Sequence, residues 1–483
     1  MKSILLLIPI ILPIFLSVVI GVLKLQPKNM KNICLTGIIF NFVYMAYLFI
    51  SLGEVEYSIF EINEFLDIYF RIDKLGMLFS ILVSVLWIFT TIYSMEYMKH
   101  EGKERRFFSF FTATLGVTLG IAFSGNLITL YVFYEFLTLI TFPLVIHADT
   151  AEALKSGKKY LIYSFGGAAL ILLGMILLFG LTKDTTFVPM GIINNMSDLN
   201  LKLYIISYTL MFIGFGVKAA LVPFHSWLPR AMVAPTPVSA LLHAVAVVKS
   251  GVFAIIRMSY FIFGIEVLKS FHINSFLVVL IVISIIMGSF LALHQSNLKK
   301  RLAYSTISQL GYILLGIVML DKEAFMGGLL HLVNHAVIKI VLFFCVGAIL
   351  YTTHKTDISE IKGIGKEMPI TMGCFAVASI SLIGIPPTNG FVSKWYLAQG
   401  GLNGGKWIFP VILLLSALLT ALYLLPVITE AFFRKAEQET VTVREAPLKM
   451  LIPIVSITII VILLGLFPNI VIGFIEQIVT ELI

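Results

Sequence analysis

The chain has 483 residues, of which 59% are hydrophobic and only 12% charged, with a formal net charge of +8. A soluble domain carries about 25% charged residues, so a string of soluble domains is excluded and an integral membrane protein is expected. The basic excess falls in short clusters between apolar runs, the distribution of orientation signals in a lipid bilayer and not of a nucleic-acid surface.

Apolar runs of about 20 residues repeat throughout, enough for helices across a hydrocarbon core about 30 Å thick. The alternation of a membrane β-barrel is absent. An all-α integral membrane protein with 14 transmembrane spans is expected. In chain order these are 3–23, 32–52, 75–97, 107–123, 127–147, 159–181, 203–223, 236–262, 272–293, 301–320, 325–351, 369–398 (interrupted), 407–432 and 449–475. The first has no strongly basic start and no small-residue cleavage site, so it reads as a span and not a signal peptide.

Basic clusters follow spans 1, 3, 5, 9 and 13, for example Lys103, Arg105 and Arg106 after span 3. The loop after span 2 is acidic, with Glu54, Glu56, Glu61, Glu64 and Asp67. Odd loops are therefore expected in the cytoplasm and both termini on the outer face of a cell membrane. The expected organisation is 1–104 (spans 1–3), 105–265 (4–8), 266–440 (9–13) and 441–483 (span 14).

Two membrane stretches carry helix-breaking chemistry. LVPFHSWLPRAMVAPTPVS holds Pro223, Pro229, Pro235 and Pro237, and LIGIPPTNGF holds Pro386, Pro387 and Gly390. Proline removes a backbone donor, and in lipid the freed groups need protein or water partners. Paired interrupted helices in two halves point to inverted repeats with a site at the breaks. Each break has a lysine beside it, Lys218 before the first and Lys394 after the second.

Ionisable residues recur inside the apolar stretches. A charge at mid-bilayer costs about 2.5–3.5 kcal/mol on insertion scales and marks an ion or proton route. Glu135 lies deep in span 5, with Lys218 as its candidate partner; the pair reads either as a static lock or as a gate. Lys249 has apolar sequence on both sides, and His243 precedes it by six residues. Lysine, unlike arginine, can give up its proton when desolvated, and histidine titrates near neutral pH. His331, His335 and Lys339 are spaced four apart and stack on one face of span 11, beside Asn334. His225 reads as a stabiliser of the first break, and Arg230, His294 and His354 as interfacial.

Two histidines at helical spacing without acidic or cysteine companions argue against a metal or haem. Cys34, Cys345 and Cys374 have no disulfide or cluster spacing. No phosphate loop, nucleophile elbow or nucleotide fingerprint is present, so neither cofactor nor covalent catalysis is expected.

KAALVPFHSWLPRAMVAPTPVSALLHAVAVVKSGVFAIIR, YVFYEFLTL, KRLAYSTISQLGY, HLVNHAVIKIVLFF and GIPPTNGFVSKW together resemble the antiporter-like membrane subunits of respiratory complex I, membrane-bound hydrogenases and Mrp-type cation/proton antiporters. The resemblance covers nearly all of the chain. It implies 14 helices with two inverted five-helix repeats, and discontinuous helices 7 and 12. It also implies proton-pathway roles that fall on Glu135, Lys218, Lys249 and Lys394, and partner membrane subunits in one complex. The end at Ile483 leaves no room for the lateral helix of the largest subunit type, the lysine on span 12 differs from the glutamate of one complex I subunit type, and Lys339 on span 11 fits both Mrp D and hydrogenase types; an Mrp D-like subunit is the first expectation. Hydrogenase or complex I-like subunits are the alternative. The pathway expected is Glu135, Lys218, His243, Lys249, His331, His335, Lys339 and Lys394, carrying protons, with sodium left to a partner subunit. A quinone- or haem-binding redox subunit and a self-sufficient solute carrier are the competing classes.

Overall fold

A computed structural model describes residues 3–52, 55–63, 66–193, 198–270, 274–435 and 444–483. The expected boundary at 440 and the acidic residues Glu54 and Glu64 lie outside them.

The helices are α1 (Ile8–Val22), α2 (Pro27–Leu52), α3 (Lys74–Glu101), α4 (Glu104–Ala122), α5 (Leu127–Val145), α6 (Ala151–Thr182), α7 (Asp198–Lys218), the short α8 (Trp227–Arg230), α9 (Thr236–Ala244) and α10 (Val247–Arg257). They continue with α11 (Ile265–Ser270), α12 (Asn274–Leu293), α13 (Leu298–Val318), α14 (Lys322–Thr353), α15 (Pro369–Ile383), α16 (Asn389–Asn403), α17 (Ile408–Phe433), α18 (Leu448–Leu466) and α19 (Asn469–Leu482). Side-chain oxygens set many of the starts. Asp73 accepts from Gly76 N at 2.8 Å, Asn126 from Thr129 N at 2.8 Å and Asp321 from Ala324 N at 3.0 Å.

Eleven helices among the described residues are long and apolar enough to cross a membrane. The predicted spans at 107–123 and 301–320 form α4 and α13, which carry many hydroxyl and amide side chains and fall outside that count. Both are sheathed by protein, so polar side chains there meet partners and not lipid. Within Thr236–Phe263 and Lys322–Thr353 the apolar membrane windows are wholly buried, so these stretches lie at the centre of the packing. The outer helices α12 and α17 turn bare leucine, isoleucine and phenylalanine outward.

The connections sort into two sets. Lys103, after α3, bonds Asp149, after α5, and Asn297, before α13, bridges Asp357, beyond α14. In the other set Phe70 bridges Ser124, Asn126 bridges Thr186, and Val188 N bonds Phe261 O at 3.1 Å. Odd loops meet odd and even loops meet even, as helices alternating in direction require.

Four local features depart from the sequence reading. The acidic loop after span 2 is an antiparallel hairpin, β1 (Val55–Asn63) and β2 (Leu66–Ile72), with Tyr57 opposite Phe70. The all-α expectation missed it because its charges hid an alternating pattern. Arg71 N and Phe123 O bond at 2.7 Å and seat the hairpin on the end of α4. Span 8 is interrupted: after α9, the N–H of Val245 and that of Ala246 both reach Leu241 O, and the axis restarts at Val247. Such an extra residue in a turn often marks a functional site. A further π-helical turn, Met258–Phe263, ends this span. Finally, the predicted span 449–475 stops at Leu466, and Pro468 starts the separate helix α19.

Candidate functional site

Both predicted breaks are present. α7 ends at Lys218, and Ala220 takes a left-handed φ of 55°. Trp227 Nε1 donates to Val217 O at 2.8 Å, and Val222 N donates to Ser284 Oγ at 3.0 Å, so groups freed by the break find partners. The second break separates α15 from α16 at Gly384, whose φ is 90°. Asn334 on α14 clamps it: Asn334 Nδ2 donates to Asn389 O at 2.7 Å, and Asn389 Nδ2 to Asn334 Oδ1 at 3.2 Å.

Lys218 is 1% exposed, and its Nζ lies 3.8 Å from Glu135 Oε1. It also donates to Tyr134 O and lies over the Tyr134 ring. Glu135 Oε1 has no hydrogen bond of its own. The ion pair is therefore loose and its lysine end buried.

Lys249 lies on α10 beyond the interruption and is fully buried. Gly251 lets α10 press against the end of α7; a Cβ there would sit 2.7 Å from Ala219 N. Lys249 Nζ is 2.8 Å from His335 Nδ1 and donates to Leu332 O at 3.2 Å. No carboxylate pairs with it among the described residues. His243 is buried on α9 with its ring 5.0 Å from that of Phe343, and neither ring nitrogen has a hydrogen-bond partner among the described residues.

The α14 face carries the next three groups. Lys339 Nζ donates to Ser305 Oγ at 2.8 Å and Leu302 O at 3.0 Å. His331 Nδ1 is 2.9 Å from Ser393 Oγ, and its Nε2 is 3.0 Å from Gln309 Oε1. The His331 and His335 rings stack with centroids 5.9 Å apart. Lys394 on α16 donates to Leu382 O at 2.7 Å and Ile383 O at 2.8 Å, at the open end of α15. Its Nζ is 5.2 Å from the Tyr312 ring, which lies 5.2 Å from that of His331. From Lys249 to Lys394 the named side chains thus form one neighbourhood. Lys218 and Glu135 stand at the far side of α10, with no hydrogen bond joining them to Lys249.

The remaining sequence candidates lie elsewhere. His225 is half-buried beside the first break with Nδ1 unpartnered. Arg230, His294 and His354 are exposed. The sequence reading missed Gln309, Ser305 and Ser393, although Ser305 and Gln309 stand four apart on one face of α13. It also missed Arg257, a fully buried side chain at the end of α10. Arg257 forks onto both oxygens of Asp73, with Nη2 2.8 Å from Oδ1, and its Cζ lies 4.6 Å from the Phe261 ring centroid. An arginine–carboxylate fork keeps its charges and so contrasts with the lysine–histidine row.

Fold and site define a multispan helical membrane protein with a buried row of titratable amines and imidazoles. The chain belongs to the family of antiporter-like membrane subunits shared by complex I and Mrp antiporters, whose work is ion and proton transport. The family described as NADH:quinone oxidoreductase/Mrp antiporter, TM, matches residues 124–420. The one described as NADH-Ubiquinone oxidoreductase (complex I), chain 5 N-terminus, matches residues 60–108. NADH-quinone oxidoreductase subunit N of Desulforudis audaxviator is 33% identical over 437 residues, 85% of this chain and 83% of the relative. Na(+)/H(+) antiporter subunit A1 of Staphylococcus aureus is 32% identical over 432 residues, 84% of this chain; the match spans 53% of that relative, about half its length. Among solved structures, a chain of the Mrp complex from Dietzia sp. DQ12-45-1b superposes with a TM-score of 0.86 at 19% identity, covering 100% of this chain and 97% of that one. A chain of the Thermus thermophilus respiratory complex I superposes with a TM-score of 0.83 at 20% identity, covering 99% of each. At these identities the superpositions establish the fold alone.

Proposed function

We propose that this chain is the proton-translocating membrane subunit of a multisubunit Na+/H+ antiporter, Mrp D-like. The observation that carries the reading is the 2.8 Å contact between Lys249 Nζ and His335 Nδ1, with no carboxylate beside it among the described residues. Two bases bond only when one supplies a proton and the other a lone pair. Such a pair shares a mobile proton, where Arg257 and Asp73 hold fixed charges. Protons pass along Lys218, Lys249, His243 and the His331, His335 and Lys339 face to Lys394, and the loose Glu135–Lys218 pair gates entry. Two charges about 4 Å apart interact by roughly 4 kcal/mol at an effective dielectric of about 20, enough to bias a proton on or off a neighbouring amine. His243 with two unpartnered nitrogens, and His335 Nε2 and Gln309 Nε2 likewise, support a hydrated path, since buried polar atoms seek partners.

In this reading the chain crosses a cell membrane 14 times, as two inverted five-helix repeats with helices 7 and 12 discontinuous, termini outward and odd loops in the cytoplasm. The parity of the loop contacts supports the alternation. Other membrane subunits complete the complex, and sodium crosses elsewhere.

A second reading places the chain in a redox-driven complex of the complex I or membrane-bound hydrogenase type. The 83% coverage of complex I subunit N favours it. Reconstitution of the complex carrying this chain decides between them. Sodium-driven proton movement supports the antiporter, and proton uptake only with an electron donor supports the redox complex. In either, Lys249→Ala abolishes proton movement with subunit composition unchanged. Wild-type proton movement in that variant overturns the row as a pathway.

A further inference from the structure

We propose that the hydroxyls of Ser305 and Tyr423 form a bridge that carries protons between Lys339 and His331, passing around the α14 face instead of along it. The inference rests on the proton-path reading and names part of its route. Along α14 the connection is poor. The His331 and His335 rings lie nearly parallel, 24° apart, and share no hydrogen bond. Lys339 makes no bond to His335, whose Nε2 is unpartnered.

Off α14 the bonds are continuous. Lys339 Nζ donates to Ser305 Oγ at 2.8 Å, and Ser305 Oγ is 2.7 Å from Tyr423 Oη on α17. Lys339, Ser305 and Tyr423 are all 0% exposed. An ammonium only donates, so Ser305 accepts from Lys339 and turns its own proton toward Tyr423. Tyr423 Oη in turn donates to Thr420 Oγ1 at 3.3 Å, and Thr420 donates to Ser416 O at 2.8 Å. The hydroxyls therefore all point away from Lys339. Arg301 Nη1 holds that turn of α17 through Tyr423 O at 2.6 Å. Gln309, one turn beyond Ser305, faces the phenol, carries an unpartnered Nε2, and meets His331 through Oε1.

The transfer balances as follows. One N–H bond of the Lys339 ammonium breaks and Ser305 Oγ takes that proton while passing its own to Tyr423. The phenolic proton turns from Thr420 Oγ1 and moves through water bonded to the Gln309 amide to His331 Nε2, which in the starting state is unprotonated and turned to that water, and which bonds Gln309 Oε1 only once protonated. Lys339 ends neutral, each hydroxyl regains a proton, and His331 ends as imidazolium. That cation donates Nε2–H to Gln309 Oε1 and Nδ1–H to Ser393 Oγ, which donates to Gly390 O at 3.2 Å. The observed contacts around His331 suit this product state.

The test uses the assembled complex in proteoliposomes, with proton movement, its solvent deuterium effect and subunit composition measured. Tyr423→Phe and Ser305→Ala are each expected to slow proton movement at least about tenfold. The double variant falls no further than the slower single variant, and Ser305→Thr, which keeps the hydroxyl, stays within about twofold of wild type. Should Tyr423→Phe fail to assemble, Ser305→Ala and Ser305→Thr decide alone. Wild-type rates in Ser305→Ala, with Lys339→Ala inactive, overturn the bridge and leave the pathway reading intact. Wild-type rates in Lys339→Ala as well overturn both.

Discussion

Lys218 Nζ stands 3.8 Å from Glu135 Oε1 while donating to the carbonyl of Tyr134, the residue just before that glutamate. The carbonyl holds the ammonium whether or not the carboxylate is near, so the ion pair can open without stranding the lysine. Glu135→Gln should therefore leave the complex assembled and slow proton movement by at least about tenfold, with the pH profile of transport displaced. An unchanged rate and profile would make the pair a static lock.

Arg257 and Asp73 do the opposite job. Breaking a buried pair by removing one partner costs about 3–5 kcal/mol. Asp73→Asn should lower the melting temperature of the purified complex and its yield, because Asp73 also caps α3 through Gly76 N. Transport per assembled complex should fall less than in Lys249→Ala. A melting temperature equal to wild type would show the fork to be dispensable.

Gly390 lies in the first turn of α16, just past the second break. A Cβ there would lie 1.8 Å from Ser381 O, a backbone atom that cannot step aside alone. Gly390→Ala should shift α16 against α15 and move Ser393 off His331. Proton movement should drop sharply although no titratable group has changed. Retained activity would mean that the register of α15 and α16 is not needed.

At the loop face, hydrogen bonds from Lys103, and then Arg106, hold the Asp149 carboxyl down at about 2 from its ordinary 3.8. A depressed carboxylate stabilises the fold fully above its unfolded value and loses that contribution as pH falls through the folded value. The tie between the α3–α4 and α5–α6 loops should thus persist from neutral pH to about pH 4 and loosen toward pH 2. Spin labels at Glu101 and Glu152 should report a broader distance distribution at pH 2 than at pH 6, and Asp149→Asn should show it already at pH 6. One narrow distribution throughout would contradict the tie.

Much of this was legible in the sequence where a residue clashed with its surroundings. Lys218, Lys249, Lys339 and Lys394 stood out as charges in apolar runs, and the structure buries all four. Pro223 and Pro386 announced the breaks. The interruption at Val245 was silent because HAVAVVKSG contains no proline, and its extra-residue turn costs no donor. The α19 start was hidden because Pro468 and Asn469 are only a two-residue interruption in a long apolar stretch. Ser305 and Tyr423 were invisible for a different reason. Hydroxyl side chains are common in buried membrane helices, and only distances reveal which of them meet a lysine.

The central claim is that the buried row is wet and continuous. A density map of the assembled complex that resolves water tests it most directly. The account predicts ordered water bonded to both ring nitrogens of His243, to His335 Nε2 and to Gln309 Nε2, linking Lys218 to Lys394 without a gap. Side chains or lipid closed dry around those atoms would contradict it.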